Sequence, residues 1–324
     1  VRYFITGIGG FAGTHLAARL LEDGHEVGGL VRERRVYPGL ITLAARHPRF
    51  DPAALACGDV ADAAAMTRAI AEAQPDGVFH LAGIAFVPRA EADPGRALVV
   101  NALGSRNVMA AVHREAPASR VVIVGSADVY GAAAESGLPI DENCALRPVS
   151  IYGLSKAAAD MAAFQQWWET GLAVIRARAF NHTGPGQSAD FVCSDFARQA
   201  VRIERGAVPP LLRVGNLRSA RDFSDVRDIV RGYVVLMERG APGEAYNLCT
   251  GETVSIAAIV DGLRAETSVP FEVVEESARV RRREIPRVVG NAARARALGW
   301  LASIPLRQTL RDLLDHWRAV DGAT

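Results

Sequence analysis

The sequence predicts an α/β protein built on a doubly wound parallel sheet, with a smaller α/β lobe toward the C-terminus. Three observations lead there. The chain opens on a short apolar strand, Tyr3-Phe4-Ile5-Thr6, followed at once by Gly7-Ile8-Gly9-Gly10-Phe11-Ala12-Gly13 and a helical stretch. Apolar strands then alternate with helix-length segments as far as residue 178, the pattern of parallel strands joined by crossover helices. Residues 121–124 are all Val or Ile, as expected of a strand covered on both faces. Beyond 178 the alternation degrades. The reading is therefore a first domain over 1–178 and a second over 179–324, some segments of which return to the first.

Each element follows in order. Glycines at 7, 10 and 13 lie between a strand and a helix running through Leu21. The first glycine permits the tight turn, the second lets backbone approach a pyrophosphate, and the third lets helix and strand pack closely. Residues 26–31 read as the second strand. It ends in Arg32, with Glu33, Arg34 and Arg35 behind it. Arginine suits a 2′-phosphate, so NADP is expected, while Glu33 keeps NAD open. A third strand, 55–57, ends at Gly58-Asp59-Val60. Asp59 could bond an adenine amino group or cap the helix over 63–73, with Asp62 a competing cap. The strand 77–83 ends in small residues, which lets backbone pass close to a cofactor. A long helix is expected over 94–115 with Asn101 inside it, a poor mid-helix residue whose presence points to a specific hydrogen bond.

The strand over 120–125 delivers Ser126-Ala127-Asp128 to the edge where doubly wound sheets bind ligands. Ser126 is placed to bond a substrate oxygen. Asp128 is a candidate acid, base or orienting group, or a turn cap. The stretch 132–148 reads as a polar, irregular lid or rim. Tyr152 and Lys156 then stand four residues apart, on one face of an alanine-rich helix. Lys156 is the only lysine in the chain. Its ammonium is expected to lower the tyrosine pKa, so that the phenol exchanges a proton near neutral pH. A strand over 172–178 follows.

In the second half, 179–187 reads as a loop rich in turn formers. Helices are expected over 191–206, 226–239 and 255–267, an extended piece over 209–223, short strands at 246–247 and 271–275, and a last helix over 306–317. Arg279, Arg281, Arg282, Arg283 and Arg287 form the densest cationic run, either a solvated face or a clamp on a diphosphate.

Composition narrows the partners. A net charge of +1 gives no electrostatic case for nucleic acid or an anionic membrane. No apolar run approaches the roughly 18 residues of a membrane span. The four cysteines, 57, 144, 193 and 249, lack any CxxC spacing, so reduced thiols and no metal site are expected. The first strand begins almost at once, so no signal peptide is expected and a cytoplasmic location follows.

Taken together, the glycine pattern, Ser126 and the Tyr152/Lys156 pair resemble the extended short-chain dehydrogenase/reductases that act on nucleotide sugars, across essentially the whole chain. Within that family, 180–187 (FNHTGPGQ), 215–233 (GNLRSARDFSDVRDIVRGY), the REIP of 283–286 and Gly299-Trp300 resemble GDP-4-keto-6-deoxy-D-mannose reductases. The resemblance implies a Rossmann fold and a catalytic set of Ser126, Tyr152 and Lys156, to which the residues themselves add Asp128. It implies NADP, or NAD, held by Gly7, Gly9, Gly10, Phe11, Ala12, Gly13, Arg32, Asp59, Val60, Leu81, Ala82, Gly83, Asn101, Tyr152, Lys156 and His182. It implies a nucleotide-diphosphate sugar, GDP-linked, touched by Ser126, Asn181, Arg221 and Arg281, and a homodimer. The implied reaction is NADPH-dependent reduction of a C4 ketone to give GDP-D-rhamnose. The alternatives are a 4,6-dehydratase or 4-epimerase with recycled cofactor, and a non-catalytic NADP-binding protein. Ala127 argues against the hexose dehydratases with a Thr-Asp-Glu pattern, because it removes one of their two acid–base groups. Three positions depart from the family: Gly83 for a usual alanine, Asp128 for a common glutamate, and Asn291 for a common aspartate. The first two leave the reaction type open, and the third questions the usual contacts at the nucleotide end.

Overall fold

The computed structural model describes residues 1–135, 139–279 and 285–321. In the first half, β1 (Arg2–Thr6), α1 (Phe11–Glu22), β2 (Glu26–Val31), α2 (Pro38–Arg46), β3 (Ala56–Cys57), α3 (Ala63–Ala73) and β4 (Gly77–His80) follow one another. Then come α4 (Val87–Ala92), α5 (Pro94–Leu98), a π-helical turn (Val99–Leu103), α6 (Gly104–Glu115), β5 (Arg120–Val124), α7 (Ile151–Thr170) and β6 (Val174–Ala179). The second half holds β7 (Asn181–Thr183), α8 (Val192–Glu204), β8 (Leu211–Val214), β9 (Ala220–Arg221), β10 (Phe223–Asp225) and α9 (Val226–Arg239). It continues through β11 (Ala245–Leu248), β12 (Val254–Ser255), α10 (Ile256–Glu266), β13 (Glu272–Glu275), β14 (Arg287–Val288), α11 (Ala293–Ala297) and α12 (Leu306–Val320).

Seven strands form one parallel sheet in the order β11-β6-β5-β4-β1-β2-β3. The order reverses at β1, so the loops leaving β1 and β4 diverge and open a crevice at the carboxyl edge. Side chains alternate across the sheet as the period of two requires. Tyr3, Ile5, Phe79, Val122 and Ile175 enter the core beneath α1 and α9, while Phe4, Val78, Val121, Ile123 and Val174 enter the core beneath α3, α6 and α7. A third core lies among α8, α10 and α12, built on Phe196, Val201, Leu212, Ile259, Leu263, Leu310 and Leu313. The second half returns to the first through β11, which pairs with β6, and through α9, which packs on α1.

Three expectations are corrected and one element is added. The helix over 94–115 contains a π-turn centred on Asn101. The added element is α2 over residues 38–46, an amphipathic helix with Leu40 and Leu43 buried. The extended piece over 209–223 is three short strands pairing in three separate small sheets. The stretch 132–148 is no open polar rim where it is described: Ala133, Ala134 and Ile140 are buried, Ala132 N donates to Arg147 O, and Ile140 pairs with Gly290.

Candidate active site

Three carboxyl-edge segments meet at the crevice. The first is the glycine loop. Gly7 adopts φ +75°, and a Cβ there would lie 2.8 Å from Ala82 N. A Cβ on Gly13 would lie 2.2 Å from Gly7 O, so helix and strand sit closer than any side chain allows. The helix α1 begins on Gly10, which offers no side-chain cap. The first N–H groups of α1 thus border a backbone cradle walled by Leu81 and Ala82, a shape and polarity that fit a pyrophosphate. Gly9 lies under the Tyr37 ring, whose other contacts are the Arg35 guanidinium and Glu33 O. Tyr37 escaped sequence reasoning because nothing in its neighbours signals that it folds back over the loop. Arg32 forms an exposed ion pair with Glu33 at 2.7 Å. Asp59 accepts from Ala61 N and pairs with Arg96, while Asp62 is the cap of α3. Val60 is buried against Gly104.

The second segment is the loop after β4. Thr6 Oγ1 meets buried His80 Nδ1 at 2.7 Å, His80 Nε2 meets Ser105 Oγ at 2.9 Å, and Ser105 Oγ donates to Asn101 O at 2.6 Å. Burial and the Lys156 charge push His80 down to about 3, so it stays neutral. The π-turn swings Asn101 out of helical register. Its Oδ1 accepts from Ile84 N at 2.8 Å, and its Nδ2 donates to Ile84 O and Ser155 Oγ. Asn101 therefore pins the loop to the start of α7. Gly83 lies between Asn101 and Lys156, and a Cβ there would be 2.8 Å from Asn101 Oδ1 and 3.5 Å from Lys156 Nζ. Glycine in place of alanine opens that contact.

The third segment joins the end of β5 to α7. Ser126 accepts from Asp128 N, and its hydroxyl lies near enough to the Tyr152 phenol to favour the phenolate. Ser150 caps α7 by accepting from Gly153 N, and Glu91 accepts from Ile151 N. Two bonded N–H groups at that terminus fix the turn carrying Tyr152. Gly153 is needed for close packing, since a Cβ would lie 2.6 Å from Asp128 O. Lys156 is buried and donates to Val124 O at 2.8 Å. Desolvation lowers its pKa to about 8. The expected lowering of the tyrosine is corrected. Burial first, then the Asp128 carboxylate, raise the Tyr152 pKa, against the Ser126 hydrogen bond. The desolvation of a phenolate outweighs the help of an ammonium that is itself tied to a carbonyl.

Opposite these segments lies β7. Asn181 is exposed at its start, and His182 stacks on Phe11 with ring centroids 6.2 Å apart. Burial lowers His182, and its Nδ1 lies 2.9 Å from Phe180 O. His15 Nε2 meets Pro185 O at 2.8 Å, a second tie between α1 and this loop. Arg221, on β9, donates to Ala220 O at 2.9 Å and Pro286 O at 3.4 Å. Arg281 lies outside the described residues, with Arg282, Arg283 and Glu284. Arg279 is held by Asp195 and Glu276. Asn291 turns out to be structural: its Oδ1 accepts from Ala293 N, and its carbonyl accepts from Asn247 Nδ2. The acids of the 215–233 motif are structural as well. Asp222 accepts from Thr250 and Gly251, Asp225 caps α9 and accepts from Thr309, and Asp228 accepts from Ser303 N and Ile304 N. Among the described residues no group of three His, Cys, Asp or Glu could hold a metal ion.

A dinucleotide cradle, a serine beside a buried tyrosine and a buried lysine one turn further along the tyrosine's helix mark an NAD(P)-dependent short-chain dehydrogenase/reductase of the nucleotide-sugar type. A family model for GDP-mannose 4,6 dehydratase matches residues 4–313, and the chain belongs to that family. The chain is 35% identical over 319 residues to GDP-6-deoxy-D-mannose reductase from Pseudomonas aeruginosa, covering 98% of this chain and 97% of the relative. It is 28% identical to GDP-mannose 4,6-dehydratase from Sinorhizobium fredii, over 84% of this chain and 78% of that one. The solved structure of RMD from Pseudomonas aeruginosa complexed with NADPH superposes with a TM-score of 0.84 at 34% identity, covering 98% of this chain and 99% of that one.

Proposed function

We propose that the chain reduces the C4 ketone of a GDP-linked 4-keto-6-deoxy sugar, giving GDP-D-rhamnose from GDP-4-keto-6-deoxy-D-mannose. The observation that carries this reading is the near-full-length similarity, 35% identity over 98% of this chain, to a relative named GDP-6-deoxy-D-mannose reductase. A reductase uses the tyrosine as an acid, and burial and the Asp128 carboxylate raise its pKa, in keeping with a neutral phenol. Ala127, buried where an additional acid–base group would help a dehydratase, points the same way. The near-full-length relative named for reductase activity supports the same substrate.

NADPH bound along the glycine loop supplies the hydride that C4 receives. The chain's own residues do the rest. Tyr152 donates its phenolic proton to O4 as the carbonyl becomes a hydroxyl. Ser126 bonds the same oxygen, stabilising charge where it develops. Lys156, one helical turn after Tyr152, contributes a buried ammonium that donates to Val124 O. Gly7, Gly9, Gly10, Phe11, Ala12, Gly13, Leu81, Ala82 and Gly83 line the cofactor's path. Arg32 and the stacked Arg35–Tyr37 pair would hold its 2′-phosphate. Asn101 acts through Ile84 and Ser155 as a positioning residue. Asn181 and Arg221 meet the nucleotide-diphosphate sugar.

We take the protein to be a cytoplasmic homodimer. The cysteines at 57, 144, 193 and 249 are all free thiols. Among the described residues no helix is long and apolar enough to cross a membrane. Leu98, Val99 and Leu103 are exposed beside Leu154, Met161, Phe164 and Trp168 of the adjacent α7, and Trp168 is 75% exposed. Spacings of seven along α7 make this one apolar stripe, suited to a second copy.

A paired assay tests the reaction. Stoichiometric oxidation of NADPH by GDP-4-keto-6-deoxymannose is expected. Formation of a keto sugar from GDP-mannose with catalytic cofactor, and no net oxidation, would establish the dehydratase instead.

A further inference from the structure

The parallel sheet has an open edge far from the catalytic helix. β3 pairs with β2 only at Leu30 and Val31, so residues 26–29 of β2 have no strand partner on that side among the described residues. A cleft of about 940 Å³ runs along them. It is bordered by Arg2 and Glu26, the first residues of β1 and β2, and so lies toward the amino edge of the sheet, away from the crevice. Phe50, Leu55 and Ala69 give it apolar walls. Its charge is lopsided. Four arginines, Arg2, Arg34, Arg46 and Arg49, line it against two glutamates, Glu26 and Glu72. Arg2 is paired with Glu26 at 3.6 Å, and Arg34 donates to Ala53 O. Arg46, in the last turn of α2, and Arg49 are exposed and have no carboxylate partner among the described residues. One glycine of the cleft serves no packing need. Gly29 is forced by its surroundings, because a Cβ there would lie 2.5 Å from Ile5 O. A Cβ on Gly28 would meet no atom closer than Phe4 Cδ2 at 3.8 Å, and its φ lies outside the left-handed region. A glycine inside a strand weakens it and often marks a place where a ligand comes close to the backbone.

We infer that this cleft is a second binding site, for a nucleoside phosphate, separate from the cofactor crevice. The phosphate meets Arg46 and Arg49, whose planar guanidinium groups pair with phosphate oxygens. The nucleoside lies against Phe50, Leu55 and the bare backbone at Gly28. Charge and size select this occupant. Arginines without a carboxylate call for an anion, and apolar walls call for a hydrophobic or planar body attached to it. The volume falls within the roughly 300–1,000 Å³ of small-molecule sites. Inorganic phosphate would leave the walls in water. The strand edge supplies hydrogen bonds as well. Glu26 N donates to Val1 O and Leu30 O accepts from Gly7 N, so the even residues of β2 face β1. Val27 therefore turns its own N–H and C=O toward the cleft, where the edge of a base can bond them. The site stands independently of the reaction at Tyr152.

Calorimetric titration of the protein saturated with NADPH, with ADP and GDP as probes, tests the site. At least one of the two nucleotides is expected to bind while NADPH stays in place. Arg46→Glu combined with Arg49→Glu is expected to weaken that binding by about tenfold or more, with NADPH affinity and melting temperature unchanged. Gly28→Val fills the hollow without touching a charge, and a β-branched residue suits a strand. It is expected to weaken the nucleotide as much; if it does not fold, the arginine variant decides alone. Pyrophosphate, titrated in parallel, is expected to bind more weakly than the better nucleotide. Equal affinity for pyrophosphate would reduce the cleft to an anion patch and overturn the inference. Failure of both nucleotides to bind overturns it, and so does binding undiminished in either variant, because that nucleotide then sits elsewhere.

Discussion

Tyr152 works from the first turn of a helix whose N-terminus is bonded to Ser150 and Glu91, so its phenol is held rather than free to swing. Removing that hydroxyl while keeping the ring isolates proton donation. Tyr152→Phe is expected to lower kcat by about 10²- to 10⁴-fold and leave the NADPH dissociation constant unchanged, as a fluorescence titration would report. A large loss of cofactor affinity would refute the proton-donor role. Lys156 sets the pH behaviour. Its pKa is depressed to about 8, while Tyr152 is raised, so the phenol stays protonated beyond the point where the ammonium is lost. The expected profile of kcat/KM is flat below pH 8 and falls above it. Lys156→Arg keeps a charge throughout that range, so it should remove the falling limb whatever its absolute rate. Stability moves the other way. A lysine with a depressed folded pKa carries its full burial cost below pH 8, and that cost is relieved as pH rises from about 8 toward the ordinary 10.5.

One buried polar network connects α7, β6 and β11 to the segments carrying Tyr130, Ile140 and Asn291. Asp160, four residues after Lys156, accepts from Arg176 at 2.7 Å and from Arg178 at 2.9 Å. Arg178 also donates to the Tyr130 hydroxyl, which donates to Asn247 on β11. Asn247 in turn holds Ile140 O and Asn291 O. Removing the shared carboxylate leaves two arginines without their partner in the interior. Asp160→Ala is expected to cost about 3–5 kcal/mol of stability by urea unfolding. The Asp160 carboxyl is held below its ordinary 3.8 by those arginines, so its contribution is present above that pH and lost as pH falls further. The π-turn carries a different consequence. Asn101→Ala strips two bonds from the Ile84 backbone and one from Ser155. It should raise KM for NADPH while leaving the melting temperature within a few degrees, separating a positioning role from a structural one.

Over the whole molecule, α1 is the hinge of the arrangement between halves. Its Phe11 stacks on His182, its His15 bonds Pro185, and its outer face packs on α9. The glycine loop and the loop bearing Asn181 are thereby fixed relative to each other, which keeps hydride donor and sugar in register. The exposed stripe on α7 lies on the opposite side of the sheet from α1 and α9. Met161→Asp combined with Trp168→Asp introduces two charges into that stripe. Sedimentation velocity is expected to give a dimer for wild type and a species of half the mass for this double variant. A wild-type monomer would remove the dimer proposal.

Local chemistry determined most of the sheet. The strand over 26–31, the helix over 63–73 and the helix over 226–239 could be bounded from the sequence because hydrophobic period, caps and glycines coincide there. The same locality made Ser126, Tyr152 and Lys156 legible, since each stands at a strand end or on one helix face. Tertiary structure decided what depends on distant partners. Asn101 looked like a cofactor ligand until the π-turn aimed it at Ile84 and Ser155, and the acids at 222 and 228 found backbone N–H groups as much as 76 residues away. The direction in which the Tyr152 pKa moves depends on the fold too. Sequence spacing supplies a nearby charge, but only the folded interior sets how much water the phenolate must give up.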